Sequence, residues 1–310
     1  MGTVRRCLCI GLSALLLSGC NLIVFNPKGQ VAIDERNLII LATGLMLLVV
    51  IPVIVMMFLF AYRYRATNKS ADYKPRWASS HKIEAVVWGA PLVIIIILGI
   101  VTWVTTHALD PYRPLDSDVP PVNVQVVATD WKWLFIYPDL GIATVNELAL
   151  PVHTPVSFTI TSDAAMTSFF IPALGGQIYA MAGMQTRLHL IANETGEFRG
   201  IAANYNGQGF SDMHFSTLST TRADFDAWVS KVKAAPQKLD RTAYDALAKP
   251  TIGHRIEYFS NVDQGLFMAI VDKYEGMNKG KAAENREAKA QPTDTGTGAM
   301  TTEDTMAKER

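Results

Sequence analysis

Two long runs without a charge dominate the first third of this 310-residue chain. Leu38 to Phe60 and Ala85 to Thr106 contain no Asp, Glu, Lys or Arg. A helix rises about 1.5 Å per residue, so roughly 20 apolar residues cross a hydrocarbon core of about 30 Å. Each run predicts a transmembrane helix, since a soluble core helix is seldom uncharged for so long. Pro52 and Pro91 lie inside the runs. Each removes a backbone donor, and the freed carbonyl is commonly satisfied by a neighbouring helix. Packing against further membrane segments is therefore expected.

The loop between the runs, Ala61 to Ile83, carries Arg63, Arg65, Lys69, Lys74, Arg76 and Lys82 against Asp72 alone. Short basic loops stay in the cytoplasm, so this pattern predicts that both chain ends face outwards. The N-terminus points the same way. Arg5 and Arg6 precede an apolar stretch, Leu8 to Leu17, too short to span a bilayer but suited to a signal-peptide core. It ends in Leu17-Ser18-Gly19-Cys20, the form of a bacterial lipoprotein cleavage box. Expected are a signal peptide over 1–19, lipid on Cys20, a periplasmic segment over 20–37, helices over 38–60 and 84–106, and a cytoplasmic loop over 61–83.

Beyond residue 107 the chain reads as a soluble domain. Val122, Val124 and Val126 alternate with Asn123 and Gln125, the period of a half-buried strand. Similar runs occur at 155–160, 187–191 and 214–218, with turn signals between them, which argues for an antiparallel sandwich or barrel over 107–221. Phe225, Trp228, Val229 and Val232 recur at helical spacing, and an aromatic-rich region is expected over 222–275. From 276 to 310 the chain has almost no large apolar residue and is expected to be disordered. The only cysteines are Cys7, Cys9 and Cys20. A disulfide framework or a thiolate metal site in the outer domain is thereby excluded. The formal net charge of +0 gives no basis for nucleic-acid binding.

The run Asp130-Trp131-Lys132-Trp133-Leu134-Phe135-Ile136-Tyr137-Pro138, placed after two outward-ending helices, resembles the aromatic segment of subunit II of the haem–copper oxidases. Ser168 to Gly175 and Gly200 to Met213 are similar to that family's copper-binding segments. The resemblance implies a membrane-anchored α+β chain. Two transmembrane helices would be followed by a cupredoxin-like β-sandwich or barrel domain with a short helical, aromatic-rich extension. It also implies which positions would hold the two-copper centre: Thr167, Ala202, Asn204, Asn206, Phe210 and Met213. Only Met213 keeps a ligand of the family type. A copper pair needs soft thiolates and imidazoles, so no metal is expected in this chain.

The sequence is therefore identified as similar to the copper-less branch, subunit II of the bo-type ubiquinol oxidase. That resemblance implies a non-catalytic, structural chain. It would belong to a proton-pumping complex of the bacterial inner membrane that oxidises ubiquinol and reduces oxygen to water. Haems and copper would sit in the partner subunit I. The partners expected are subunit I, other membrane subunits and membrane lipid, and cytochrome c is not expected. The resemblance makes Glu84 a candidate for proton uptake, against the simpler reading of an acid favoured by a helix N-terminus. Trp131 and Trp133 are the interface candidates. The rival reading is a free-standing periplasmic binding lipoprotein with a β-sandwich.

Overall fold

The computed structural model describes residues 22–70 and 76–274. The expected signal peptide over 1–19, Cys20, the loop residues Asp72 and Lys74 and the tail over 276–310 lie outside the described residues.

Both apolar runs form helices, and both helices outlast them. Helix α1 spans Gln30–Arg63 and α2 spans His81–Ala108, with Pro52 and Pro91 inside. Their apolar side chains are largely exposed along the spans. The extra turns of α1, from Gln30 to Asn37, are polar and belong to the junction with the outer domain. An α-helix leaves its first backbone N–H groups without intrahelical acceptors. Here Gln30 N donates to the carbonyl of Ile191 at 3.1 Å and Ala32 N to that of Leu174 at 3.1 Å. Lys28 N reaches Ala173 O at 2.7 Å, and Asn193 N returns to Lys28 O at 2.8 Å. The Glu35 carboxylate accepts Gly176 N at 3.1 Å. The start of α1 is thus built into the edge of the outer domain. Gly175 makes this approach possible: its φ is +84°, and a Cβ there would lie 2.6 Å from Ala32 N.

The outer domain is a two-sheet sandwich. Its strands in chain order are β1 (Val122–Thr129), β2 (Lys132–Tyr137), β3 (Ile142–Val145), β4 (Glu147–Pro151), β5 (Val156–Ser162), β6 (Thr167–Phe170), β7 (Gln177–Ala180), β8 (Thr186–Leu190), β9 (Gly196–Ala202), β10 (His214–Thr220) and β11 (Glu257–Phe259). One sheet has the order β11-β3-β2-β1-β5-β8, the other β4-β10-β9-β6-β7. The pairs β1–β5 and β4–β10 are parallel, and the rest are antiparallel. The chain changes sheet between β3 and β4 through one residue, Asn146, at φ +57°. Its side chain satisfies the crossing, accepting Trp133 N at 2.9 Å and donating to His254 O at 2.8 Å.

Between the sheets lies an aromatic core. Phe169 stacks on Phe215 at 5.2 Å, and the Trp133 ring meets both edge-on at 5.4 and 5.8 Å. Tyr137 OH donates to Ala149 O at 2.8 Å and accepts Ala149 N at 3.0 Å, linking the two sheets. Helix α3 (Arg222–Lys233) starts at Thr221, whose hydroxyl accepts Asp224 N. It adds Phe225, Trp228, Val229 and Val232 to this same core. The helical reading of 222–233 holds, but these residues complete the sandwich instead of opening a separate region.

The segment after α3 covers the outer face of the six-stranded sheet. Helix α4 (Arg241–Leu247) is capped by the Asp240 carboxylate, which accepts Ala243 N at 2.8 Å. Residues 266–274 are helical. Leu239, Tyr244, Leu247, Phe259, Leu266 and Phe267 pack on Val127, Leu134 and Ile136. Asp163 fastens this cover, accepting Tyr244 OH and Lys273 Nζ, each at 2.7 Å. Every residue of β2 is buried for this reason, with one face on the opposite sheet and the other under the extension.

Gly200 on β9 pairs with Phe215 on β10, and the phenyl ring lies directly over it. A Cβ at Gly200 would meet ring atoms at 2.0–2.5 Å. Overpacking of this kind costs about 1–3 kcal/mol. The Gly200→Ala variant is predicted to lower the thermal unfolding midpoint of the outer domain, followed by its β-sheet circular dichroism. An unchanged midpoint would mean that Phe215 does not depend on this bare strand.

Candidate functional site

The copper-segment positions converge at the end of the sandwich carrying the β1–β2 hairpin. Strand β6 contributes Thr167, and β9 and the loop after it contribute Ala202, Asn204 and Asn206. A 3-10 turn, Phe210–Asp212, leads to Met213. Ala202 N donates to Met213 O at 3.1 Å, and Ala203 N to Ser168 O at 3.1 Å. These two bonds tie the loop after β9 to β6 and to the start of β10.

Its donor set does not fit a copper pair. Ala202 and Phe210 offer no donor atom. Thr167 is fully buried, and its hydroxyl has no partner among the described residues. Asn204 Nδ2 is used on Met166 O at 3.2 Å, and Asn206 Nδ2 lies 3.0 Å from the Met213 sulfur. The one family-type ligand thus faces an amide. Neutral amides and a single thioether cannot replace bridging thiolates and imidazoles. Among the described residues no group of three or more His, Cys, Asp or Glu side chains could hold a metal ion.

The two histidines near this comparison serve other ends. His189 lies on β8, an edge strand of the six-stranded sheet. It is half-buried, with Nδ1 3.0 Å from Pro111 O and Nε2 3.3 Å from Ser157 Oγ. His214 starts β10 and is exposed.

Against the loop sits Trp131, at φ +66° in the two-residue connection between β1 and β2. A left-handed backbone costs a non-glycine residue roughly 1–2 kcal/mol. The surroundings hold it there. Trp131 Nε1 donates to Asn206 O at 3.3 Å. Gly207 and Gly209 leave space for the indole, and a Cβ at Gly209 would lie 2.4 Å from the ring. Trp131 therefore clasps the loop while keeping part of its ring in solvent. Trp133 corrects the expectation drawn for it. It is fully buried between the sheets, so it packs the core of this chain and does not face a partner. The two indoles lie two residues apart, but the hairpin turn separates their surroundings.

Sequence reasoning missed the lysine between them. Lys132 is 1% exposed. Its Nζ donates to Lys249 O and Thr251 Oγ1, each at 2.8 Å, and to Asp130 O at 3.3 Å. Burial lowers its pKa, opposed by the charges of Asp130 and Glu257. This amine ties the 249–251 segment to the hairpin that carries Trp131. A charge inside an apolar run was the available signal. Also missed were the exposed Tyr205, which stands edge-on to the half-buried Phe210 ring at 5.7 Å, and the exposed Met166.

Glu84 occupies the first turn of α2 and is exposed. Its carboxylate lies 3.6 Å from His81 Nδ1, and its N–H donates to Ser80 O. At the other end of α2, His107 Nδ1 lies 2.7 Å from Trp103 O.

A two-sheet sandwich behind two long apolar helices, with no copper-type donor set among the described residues, fits one class: subunit II of a respiratory oxidase in its copper-less branch. Comparison with known proteins agrees. The family described as Cytochrome C oxidase subunit II, periplasmic domain, matches residues 140–219, and the COX Aromatic Rich Motif matches 233–278. The chain is 61% identical over 270 residues to the cytochrome bo(3) ubiquinol oxidase subunit 2 of Pseudomonas putida, covering 87% of this chain and 86% of that one. It is 60% identical over 274 residues to its counterpart from Pseudomonas aeruginosa (88% and 83% covered), and 54% identical over 264 residues to the ubiquinol oxidase subunit 2 of Acetobacter aceti (84% and 86% covered). The solved periplasmic domain of subunit II of the Bradyrhizobium japonicum cytochrome oxidase aligns at a TM-score of 0.36 and 21% identity, covering 38% of this chain and 96% of that one, too loosely to carry an argument. The chain belongs to the ubiquinol oxidase subunit 2 family.

The loop over Lys132 also sets a pH dependence. His254 is mostly buried, with Nδ1 3.0 Å from Thr251 Oγ1. Burial lowers its pKa; nearby Lys132 and Arg255 add to this, and Glu257, 3.6 Å away, opposes it. Below pH ~6.5 the unfolded chain takes up a proton that the folded chain resists, so stability falls as pH drops through that range. Thermal unfolding between about pH 7.5 and about pH 5.5 should show this loss, and His254→Gln should flatten it. An identical pH profile in the variant would remove His254 as the cause.

Proposed function

We propose that this chain is the structural, non-metal-binding subunit II of a proton-pumping respiratory ubiquinol oxidase in the bacterial inner membrane. The observation that carries this reading is the intact frame around Ala202, Asn206 and Met213 with its copper chemistry gone. Electrons from a membrane quinol need no outer copper relay, so such a domain can keep its shape without its ligands. Haems and copper reside in the partner subunit I, and ubiquinol is the substrate of the whole complex. Relatives covering most of the chain favour this over a free-standing binding lipoprotein.

In this reading the loop over 61–83 is cytoplasmic and both termini are periplasmic, by the basic-loop rule. Cys20 carries lipid after removal of residues 1–19. The apolar faces of α1 and α2 pack on subunit I and other membrane subunits. The outer domain caps that partner, with Trp131, Tyr205 and Met166 at the docking end. Glu84, exposed where α2 enters the membrane, gathers protons for a channel in the partner.

The test is purification of the C-terminally tagged chain from gently solubilised membranes, followed by oxygen uptake. Haem-bearing partners should co-purify, and ubiquinol alone should drive uptake. Uptake driven by reduced cytochrome c, or a haem-free chain, would contradict the proposal. Two variants separate the residue roles. Trp131→Ala should lower the haem recovered per tagged chain several-fold with turnover per haem unchanged. Glu84→Gln should keep recovery and slow turnover. Normal recovery in the first, or normal turnover in the second, would remove that role.

A further inference from the structure

Ahead of α1 the chain shows four consecutive apolar side chains to solvent. Leu22, Ile23, Val24 and Phe25 are 58%, 51%, 46% and 52% exposed. Residues 23–25 form a 3-10 turn, closed by Phe25 N to Leu22 O at 2.9 Å and Asn26 N to Ile23 O at 3.0 Å. No charged residue occurs between Cys20 and Pro27, and Lys28, the first charge, is already paired with Glu194 at 2.6 Å. Immediately after the turn, Lys28 and Gly29 join the sandwich edge through Ala173, Ala192 and Asn193. The apolar turn is therefore placed beside the domain's junction with α1 by the anchored Lys28 and Gly29 that follow it, yet it contributes nothing to either hydrophobic core.

We propose that Leu22 to Phe25 form a foot that inserts into the lipid of the outer leaflet. The inference rests on the lipidation of Cys20 proposed above. An extended chain spans at most about 3.6 Å per residue, so Leu22 stands within about 7 Å of an acylated Cys20. A diacylglycerol on Cys20 belongs in the bilayer, and the side chains that follow it are brought to the lipid surface. Apolar side chains without a charge suit that position, and a charge-bearing segment would not. The foot is a third attachment of the outer domain, beside α1 and the α2 connection. It pins the Leu174 and Ile191 edge of the sandwich to the membrane and limits its tilt.

The test uses the purified oxidase in nanodiscs of phosphatidylethanolamine and phosphatidylglycerol, with a nitroxide on Val24→Cys. Acylation leaves Cys20 without a free thiol, and the spectrum of the unsubstituted oxidase treated with the same label is subtracted, so the difference reads residue 24 alone. Power-saturation spectroscopy compares collision with oxygen, which concentrates in lipid, and with a water-soluble nickel chelate. The proposal expects oxygen to dominate at residue 24 and the chelate to dominate at a label on the exposed Arg199 (Arg199→Cys). Chelate access at 24 equal to that at 199 would overturn the foot. Protection from both reagents would overturn it too, because protein would then cover the turn. The intact mass of the same subunit reads the lipid independently. An acylated chain with a water-exposed label sinks the foot and leaves lipidation standing. An unacylated chain with a lipid-exposed label sinks lipidation and leaves the foot held by its own side chains.

Discussion

Strand β2 is buried on both faces, and most of the outer domain depends on that double burial. On one side Trp133, Phe135 and Tyr137 meet the five-stranded sheet and α3. On the other, Leu134 and Ile136 lie under the extension that runs from Leu239 to Val271. Removing an aromatic side chain of this size from a packed core costs about 3–5 kcal/mol. The same strand begins at Lys132, whose buried amine draws the 249–251 segment onto the hairpin. The extension therefore acts at a distance. It holds the outer face of the sheet, and through Lys132 it holds the turn on which Trp131 adopts a left-handed backbone.

That arrangement explains how a metal loop can lose its ligands and keep its shape. In a copper domain, metal bonds would tie the loop together. Here Trp131 does so from one side, with Gly207 and Gly209 admitting its ring, while backbone hydrogen bonds join Ala202 to Met213 and Ala203 to Ser168. The buried hydroxyl of Thr167 and the side-chain amide oxygens Oδ1 of Asn204 and Asn206 have no partner among the described residues. Polar groups left in that state usually cost stability, since they give up water without replacing it. This corner therefore holds a cluster of buried polar atoms whose hydrogen bonds are not made within the described residues.

Much of this was legible in the sequence, for physical reasons that differ between elements. The two long apolar helices were readable because residues 38–60 and 85–106 carry no charge over a length that would cross a bilayer. Their ends were not, because the charged turns from Gln30 to Asn37 start on carbonyls of Ile191 and Leu174 far along the chain. Strands β1, β5, β8 and β10 announced themselves by alternation. Strands β3 and β4 are buried at every position and too short for a period to show. Trp131 and Trp133 looked alike in the motif, since sequence does not say which indole follows the turn and which enters the core. The absence of cysteine beyond Cys20 was the clearest chemical statement in the chain, and the site geometry agrees with it. Lys132 was missed because the groups that receive its amine, Lys249 O and Thr251 Oγ1, lie more than a hundred residues away in the chain.

The central claim is that the outer domain keeps a copper frame without copper chemistry. Elemental analysis of the purified subunit, separated from its partners after growth in copper-replete medium, tests it most directly. The account predicts copper far below one atom per chain, with the sandwich folded and no thiolate-to-copper absorption. One or two tightly held copper atoms per chain would contradict it, and would mean that Met213 and its neighbours form a site whose ligands have been misjudged.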